Sequence, residues 1–267
     1  MSRTSRRLAA PLALLSGAAI ALSACGSTPS LPALTDPNEI ITAALKATEG
    51  AKSVHIDVTV DGTINADLTG TGGPGAELPL TGTTAAADVD MAGGKAHATF
   101  AVPAFLNLNG ELIQIGETSY LKTSLTWPQY ETQQATDSLP VDPTDASGIF
   151  DDVGDFLTAD GVDPVKGDDV DCGGRSCYTV SIELTAEELA ALGADQAAQM
   201  GLPLDLGSAS LAFTIRVEKD TYRLAGFKTV ASLGEQGSIT LDLTLSKWDQ
   251  PMDISAPPAD QVKAPAA

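Results

Sequence analysis

Apolar and polar residues alternate with a period of two over most of the chain, the pattern of half-buried β-strands. It starts where Val54, Ile56 and Val58 are separated by polar residues. Short links such as Asp61-Gly62 and Gly93-Gly94 join several of these segments, so consecutive strands can pair as hairpins. We therefore predict a large antiparallel sheet that is apolar on one face. Its further strands are predicted at residues 64–68, 85–91, 96–102, 112–115, 118–123, 178–184, 211–217, 224–230 and 239–245.

Three segments have the 3.6-residue period of amphipathic helices. The first follows Asp36 and Pro37, which suit a helix cap and a first helical position. The second covers residues 145–158, and the third starts at a capping box, Thr185-Ala186-Glu187-Glu188, and extends to about residue 200. Helices that cover one face of nine or ten strands define an α+β fold. Aromatic residues are only 4% of the chain, so the helices and the sheet either pack tightly or enclose an apolar cavity.

The N-terminal residues have the features of an export signal. Three arginines precede an apolar stretch, residues 8–22, that is short for a membrane span. The stretch ends in Leu22-Ser23-Ala24-Cys25, a lipobox, in which small residues precede a Cys that receives a diacylglyceryl thioether. The alternative is an ordinary secretory signal that is cleaved near a Cys.

The lipobox predicts how the chain is divided. Residues 1–24 are a lipoprotein signal peptide, and residues 25–35 are the lipidated Cys25 and a flexible tether. Residues 36–258 form one domain, and residues 259–267 a disordered C-terminal tail. We therefore expect an exported protein that its acyl chains hold on the outer face of the cell membrane.

The net charge of the chain limits the classes of partner that it can bind. Its formal net charge is −20, which repels nucleic acid and the anionic surface of a bacterial membrane. Attachment must then come from the acyl chains rather than from a basic patch. The aspartates of residues 160–171 lack the spacing of a calcium loop. We expect no nucleic-acid partner, no metal ion and no cofactor.

Two cysteines remain once Cys25 is assigned to the lipid anchor. Cys172 and Cys177 lie close together in an exported chain, which predicts a disulfide. Gly173 and Gly174 can adopt positive φ and let the bridge close over a tight turn. A redox-active pair normally has two intervening residues at a helix N-terminus, whereas this pair has four and leads into a strand.

Three segments have a pattern that is found together in one family: residues 51–62 (AKSVHIDVTVDG), the link Asp142-Pro143, and residues 243–248 (LTLSKW) followed by Pro257-Pro258. They resemble the LppX/LprA/LprF/LprG family of mycobacterial and actinobacterial lipoproteins. The resemblance runs over nearly all of the chain after the tether, and the Gly-rich residues 70–79 and the Cys172/Cys177 pair depart from it. It implies a curved antiparallel half-barrel, similar to LolA and LolB, with helices across its concave apolar face.

The resemblance also implies a function. A member of this family is expected to bind the acyl chains of lipids or (lipo)glycolipids in an apolar cavity and to carry them across the cell envelope. We expect the carrier to be a monomer. Some members are thought to act with a membrane exporter. The cavity lining is expected at inward strand positions and along the middle helix, where small Ala96 and Ala98 leave room for chains. These residues are Ile56, Val58, Ala96, Ala98, Phe100, Ile149, Phe150, Val153, Leu157, Val180, Ile182, Phe213, Ile215, Leu241 and Leu243.

Two other functions stay open. A scaffold lipoprotein that uses the same sheet to dock an exporter or an enzyme is compatible with the sequence. An envelope hydrolase needs a nucleophile, a base and an orienting group. The chain has only His55 and His97, both out of phase with their apolar neighbours and so expected in solvent, and it has no Gly-x-Ser-x-Gly motif. We expect no catalytic residues and no enzymatic activity.

Overall fold

The structure is a computed structural model that describes residues 31–66, 75–125, 129–134, 154, 157, 162–188 and 208–263. One helix, α1, precedes a series of strands that belong to a single sheet. The bounds are α1 Pro37–Thr48, β1 Ser53–Ala66, β2 Ala76–Pro79, β3 Thr83–Asp90, β4 Lys95–Val102, β5 Leu108–Ile115, β6 Thr118–Thr123, β7 Glu131–Gln134, β8 Val165–Lys166, β9 Val170–Asp171, β10 Ser176–Leu184, β11 Ser210–Glu218, β12 Leu224–Ser232 and β13 Gly237–Ser246.

The sheet has 13 strands in the order β7-β6-β5-β4-β3-β1-β13-β12-β11-β10-β8, with β2 beside β1 and β9 beside β10. Every strand pair is antiparallel, and the edge strands β7 and β8 do not pair with each other, so the sheet is open. The predicted α+β half-barrel is confirmed. The pairing of β1 with β13 joins two series of hairpins. The short strands β2, β7, β8 and β9 were not predicted, because two to four residues show too little alternation.

The strands in register have two common ends. We call one the packed end; it carries the turns at residues 91–94, 116–117 and 219–223. We call the opposite one the distal end; it carries the turn at residues 103–107 and the 3-10 turn Gly234–Gln236.

Helix α1 covers the packed end of the sheet. The Asp36 carboxylate caps it by accepting hydrogen bonds from the backbone N–H groups of Asn38, at 2.8 Å, and Glu39, at 3.2 Å, as predicted. Its buried residues, Ile40, Ile41 and Ala44, join the main core cluster. Complete burial of an Ile side chain contributes about 1.5–3 kcal/mol, so this contact holds the helix on the sheet.

The predicted middle helix is described only at Gly154 and Leu157, and both are helical. Leu157 is buried in the main core cluster. A Cβ on Gly154 would lie 3.1 Å from a methyl carbon of Leu45, so Gly154 packs closely against α1. Ile149, Phe150 and Val153, which were predicted to line a cavity, lie outside the described residues.

The predicted third helix is described at its first turn, residues 186–188. The Glu188 carboxylate accepts a hydrogen bond from the Thr185 N–H at 2.7 Å, and the Thr185 hydroxyl accepts one from the Glu188 N–H at 3.4 Å. This confirms the capping box. No helix among the described residues is both long and apolar enough to cross a bilayer.

The C-terminal segment differs from the predicted disordered tail. Residues 259–261 form a 3-10 turn, and Val262 pairs with Tyr130. Met252 and Ile254 pack with Ile113 on the face of the sheet opposite α1. The prediction for 259–267 is wrong over residues 259–263, because this pairing and packing with distant strands outweigh the local Pro/Ala composition. Residues 264–267 lie outside the described range.

The predicted flexible tether, residues 25–35, is in contact with the domain from residue 32. The backbone N–H of Leu34 donates a hydrogen bond to the Tyr178 hydroxyl at 3.0 Å, and the Tyr222 hydroxyl donates one to the Pro32 carbonyl. The prediction of a free tether is therefore wrong for residues 32–34, since two tyrosines that are distant in sequence bind them. Cys25 and residues 26–30 lie outside the described range.

Candidate functional site

Strand register places the predicted strand residues on one face of the sheet. Leu243, Val58, Ala85 and Phe100 are successive cross-strand partners on β13, β1, β3 and β4. On the other side of β13, Leu243 pairs with Phe227 on β12, and the register continues through β11 to β10. We call this surface the apolar face; its members from the prediction are Ile56, Val58, Ala96, Ala98, Phe100, Val180, Ile182, Phe213, Ile215, Leu241 and Leu243.

The burial of the apolar face changes along the strands. At the packed end, Val54, Val89, Val217 and Leu245 are 0–3% exposed. Toward the distal end the same face becomes half-buried on neighbouring strands, at Ile56, Val58, Ala98, Phe100, Phe213, Leu241 and Leu243. Strand β10 is an exception, since Ile182 and Leu184 near its distal end are only 1% and 3% exposed. On β1, β4, β11 and β13, large apolar side chains retain accessible surface toward the distal end, so the face is less tightly packed there.

Five of the residues predicted to line a cavity belong to the buried core: Leu157, which is 2% exposed, and four strand residues. Ala96, Val180, Ile182 and Ile215 are at most 1% exposed and lie in the main core cluster. The buried residues of α1 belong to the same cluster. We correct the assignment of all five residues from cavity lining to core. Alternation alone could not separate them from their half-buried neighbours.

Two polar residues on the apolar face were not predicted. Gln114 and Ser119 are cross-strand partners on β5 and β6, and both are buried. The Gln114 side-chain amide donates to the Gly116 carbonyl at 3.3 Å. The Ser119 hydroxyl has no hydrogen-bond partner among the described residues. A single polar residue within an alternating strand is the only sequence signal for them, and it does not distinguish a buried position.

The outer face, opposite the apolar face, carries both histidines. The Nδ1 atom of His55 lies 2.6 Å from an Asp88 carboxylate oxygen, and its Nε2 atom lies 3.3 Å from Asp57. Ser246 stands opposite His55 in the register of β13. A serine, a histidine and an aspartate thus share one row, but both ring nitrogens face carboxylate oxygens. Neither nitrogen is left to take a proton from Ser246, so the row does not form a nucleophilic triad.

The second histidine belongs to a network of charged groups. Nε2 of His97 lies 2.9 Å from a carboxylate oxygen of Glu111, and the Lys122 ammonium lies 2.8 Å from the other. Lys122 also donates to the Tyr130 hydroxyl at 3.1 Å. Burial acts to raise the pKa of Glu111, but hydrogen bonds, first from Lys122, outweigh it and lower the pKa. Both histidines lie on the outer face as predicted, but they are paired with carboxylates rather than freely solvated.

The predicted disulfide joins Cys172 and Cys177, whose Cα atoms are 6.0 Å apart. Gly173 and Gly174 have φ of 69° and 87°, a region that residues with a Cβ rarely adopt. The bridge closes a turn before β10, with Cys177 fully buried. A buried cysteine in a closed bridge is suited to a structural role rather than to thiol exchange.

Two pockets lie beside the outer face of the sheet. One, of about 300 Å³, adjoins the disulfide turn and contains Arg216, whose guanidinium lies over Gly226 and pairs with Asp242 at 2.6 Å. The other, of about 430 Å³, lies on β1, β3 and β4 among small residues such as Thr84 and Ala86. Neither is lined mainly by the residues predicted for a cavity.

The acidic loop forms ion pairs instead of an ion-binding cluster. Asp169 lies 3.3 Å from the Lys166 ammonium and also pairs with Lys219. The hydrogen bond from Lys219, more than that from Lys166, lowers the pKa of Asp169 against the effect of burial. Within the described part of the chain, no three His, Cys, Asp or Glu residues are grouped as metal ligands would be.

Comparison with known proteins gives the fold. The chain resembles LprF from Mycobacterium bovis with a TM-score of 0.52 and 22% identity, over 83% of this chain and 96% of that one. It also resembles the Mycobacterium tuberculosis lipoprotein LppX with a TM-score of 0.47 and 19% identity, over 83% of this chain and 100% of LppX. No protein-family description and no curated protein sequence matches the chain. The likeness to LprF shows that the two chains share a fold, as the sequence resemblance implies.

Proposed function

We propose that this protein is an envelope lipoprotein that binds acyl chains of lipids or glycolipids on the apolar face and carries them across the envelope. The supporting observation is the change from buried to half-buried apolar residues along one face. Val58, Phe100, Phe213 and Leu243 keep apolar surface accessible inside a chain whose packed end is solid. Each buried methylene of a lipid contributes about 0.8 kcal/mol, so this surface can bind an acyl chain.

The membrane attachment in this proposal rests on Cys25. The lipobox supports its acylation after removal of residues 1–24, and the acidic charge leaves covalent acyl chains as the means of attachment. The mature protein would then be exported and held at the outer face of the cell membrane. An exporter partner and a monomeric state belong to the same proposal.

A second candidate function has one observation in its favour. Leu106 is 93% exposed and Leu125 is 81% exposed, and both lie at the distal end with half-exposed Phe105. Residues 103–109 contain no charged residue. An exposed apolar surface of this kind is suited to docking another protein. A ligand-free scaffold lipoprotein would use such a surface.

The lipid content of an unanchored form separates these functions. We expect Cys25→Ala protein, exported by its own cells and purified without detergent, to retain species with acyl-chain masses in native mass spectrometry. Solvent extraction should recover the same species as free lipids. Protein that is folded by circular dichroism but carries no lipid, and takes up none from mixed vesicles, would favour the scaffold instead.

Membrane partition of the same variant tests the anchor separately. The wild-type protein should sediment with membranes, and Cys25→Ala protein should be recovered in the soluble exported fraction. Equal partition of the two forms, with residues 1–24 shown by mass spectrometry to be removed from both, would contradict lipidation of Cys25.

A further inference from the structure

The chain enters the folded domain at the packed end. Pro32 and Leu34 are bound there by the hydroxyls of Tyr222 and Tyr178. Leu34 and Tyr222 also pack against the main core cluster, and Tyr178 is part of it. Tyr222 lies in the turn between β11 and β12, and Tyr178 is the third residue of β10, so both contacts lie at this end. The half-buried part of the apolar face lies toward the other end of the sheet, on β1, β4, β11 and β13.

Chain length limits how an anchored protein can be oriented. Six residue steps separate Cys25 from Leu31, and a fully extended chain covers at most about 22 Å in six steps. The distal end is farther away than this. Strand β13 has 10 residues between the two ends, which corresponds to about 33 Å at the usual rise per residue.

We propose that the docking of residues 32–34 turns the packed end toward the phospholipid surface of the anchoring membrane and keeps the distal end from facing it. An inverted orientation would place Leu31 about 33 Å above that surface, beyond the reach of an acylated Cys25. This inference rests on the proposed lipid anchor. Acyl chains at the distal end are then exchanged with an acceptor beyond the anchoring membrane.

Release of residues 32–34 from the domain removes this limit on its orientation. With the tether free up to Asp36, eleven residue steps separate the anchor from α1, and they cover up to about 40 Å. The distal end can then reach the anchoring bilayer and load from it. The two tyrosine hydroxyls, together with the packing of Leu34 on the core, therefore hold the first orientation.

Fluorescence quenching on vesicles tests the orientation. The acylated full chain is labelled at Asp220→Cys, in the packed-end turn, or at Ser124→Cys, beside the distal end; both positions are exposed. Cys172 and Cys177 are held in the disulfide and do not compete for the label. On phosphatidylcholine and phosphatidylglycerol vesicles with nitroxide-labelled headgroups, we expect several-fold stronger quenching at position 220 than at position 124.

Removal of the two hydroxyls tests the switch. Tyr178→Phe combined with Tyr222→Phe keeps the aromatic rings and deletes the hydrogen bonds to residues 32–34. We expect quenching at position 124 to rise to a level similar to that at 220. Tyr120→Phe, on the outer face of β6, is the matched control and should change neither value. Unchanged low quenching at position 124 in the double variant would overturn the role of these hydroxyls.

The outcomes separate this inference from the proposed function. Protein that does not float with the vesicles overturns the anchor and this inference together. Protein that floats but shows equal or stronger quenching at position 124 overturns the orientation alone. Lipid retained by the Cys25→Ala form reports acyl-chain binding independently of both results.

Discussion

Asp249 links three segments of the chain at the packed end. Its carboxylate accepts a hydrogen bond from the backbone N–H of Lys52 at 2.8 Å and pairs with Arg223. These contacts, first the Lys52 N–H and then Arg223, lower the pKa of Asp249. A carboxyl whose pKa is lower in the folded state stabilises the fold above its unfolded pKa, about 3.9. The stabilisation is lost as the pH falls through the folded pKa.

We therefore expect Asp249→Asn to lower the free energy of unfolding at pH 7 and to approach the wild type as the pH falls below about 4. Urea unfolding at pH 7 and pH 3 measures both differences. Asp253→Asn, at an exposed position in the same segment, is the control and should change stability little at either pH. A deficit of Asp249→Asn that is equal at both pH values would contradict the linkage.

At the residue scale, the sequence places side chains on a face but does not identify their partners. Alternation correctly put His55 and His97 opposite the apolar face. It could not show that Asp88 lies beside His55, because strand pairing brings together residues 33 positions apart. The Leu34 contact with Tyr178 joins residues 144 positions apart, so a local sequence pattern cannot predict it.

At the scale of elements, the C-terminal segment behaves as part of the fold. Ile254 is buried against Ile113 and Tyr130 on the outer face. Ile254→Ala should therefore lower the free energy of unfolding by about 2–4 kcal/mol, as expected for truncation of a buried Ile. Leu125→Ala, at an exposed position, should change it by no more than about 0.5 kcal/mol. Equal unfolding midpoints in urea for Ile254→Ala and wild type would show that the segment does not stabilise the domain.

The disulfide between Cys172 and Cys177 should contribute less to the free energy of unfolding than most native disulfides do. Its loop is short, so it restricts the unfolded chain only slightly, and the loop-entropy relation gives about 2 kcal/mol. Cys172→Ser combined with Cys177→Ser should lower the free energy of unfolding by about that amount. A free-thiol assay on the denatured wild-type protein should count neither cysteine. Two reactive thiols would contradict the bridge.

Elements with long, regular periods were predictable and irregular ones were not. Helix α1 was identified by Asp36, Pro37 and its apolar stripe, since a cap and a 3.6-residue period are both local signals. The C-terminal segment has no period of its own. Its order comes from the Tyr130–Val262 pairing and from packing on the outer face, which requires the assembled sheet.

At the scale of the whole molecule, alternation predicted the apolar face but not the change of burial along it. Ala96 and Ala98 look alike in the sequence, two inward alanines on the same strand. Ala96 lies in the core cluster that α1 closes, whereas Ala98 is half-buried. Ala96 lies nearer the packed end of β4, and Ala98 lies two residues farther toward the distal end. A binding surface on this fold therefore has to be located from the burial along each strand as well as from the strand pattern.

Ala98→Trp tests whether that half-buried surface is the lipid site. Ala98 pairs with Ala87 and Leu112 on the apolar face. If acyl chains occupy the space beside it, an indole will take their place, and the purified protein will carry several-fold less lipid while remaining folded. In a solid core the same change would cost about 1–3 kcal/mol or more through overpacking. Thermal unfolding and lipid extraction therefore distinguish a binding surface from a core.

Ala101→Trp is the matched control, because the same substitution on the same strand points to the outer face. Both alanines are half-buried, so the two variants differ mainly in the face that receives the indole. We expect Ala101→Trp to keep the lipid content of the wild type, and both variants to unfold within a few degrees of it. Ala98→Trp protein that is stable and fully loaded would place the lipid elsewhere. Strong destabilisation of Ala98→Trp alone would show that this part of the apolar face is packed core, as it is at Ala96.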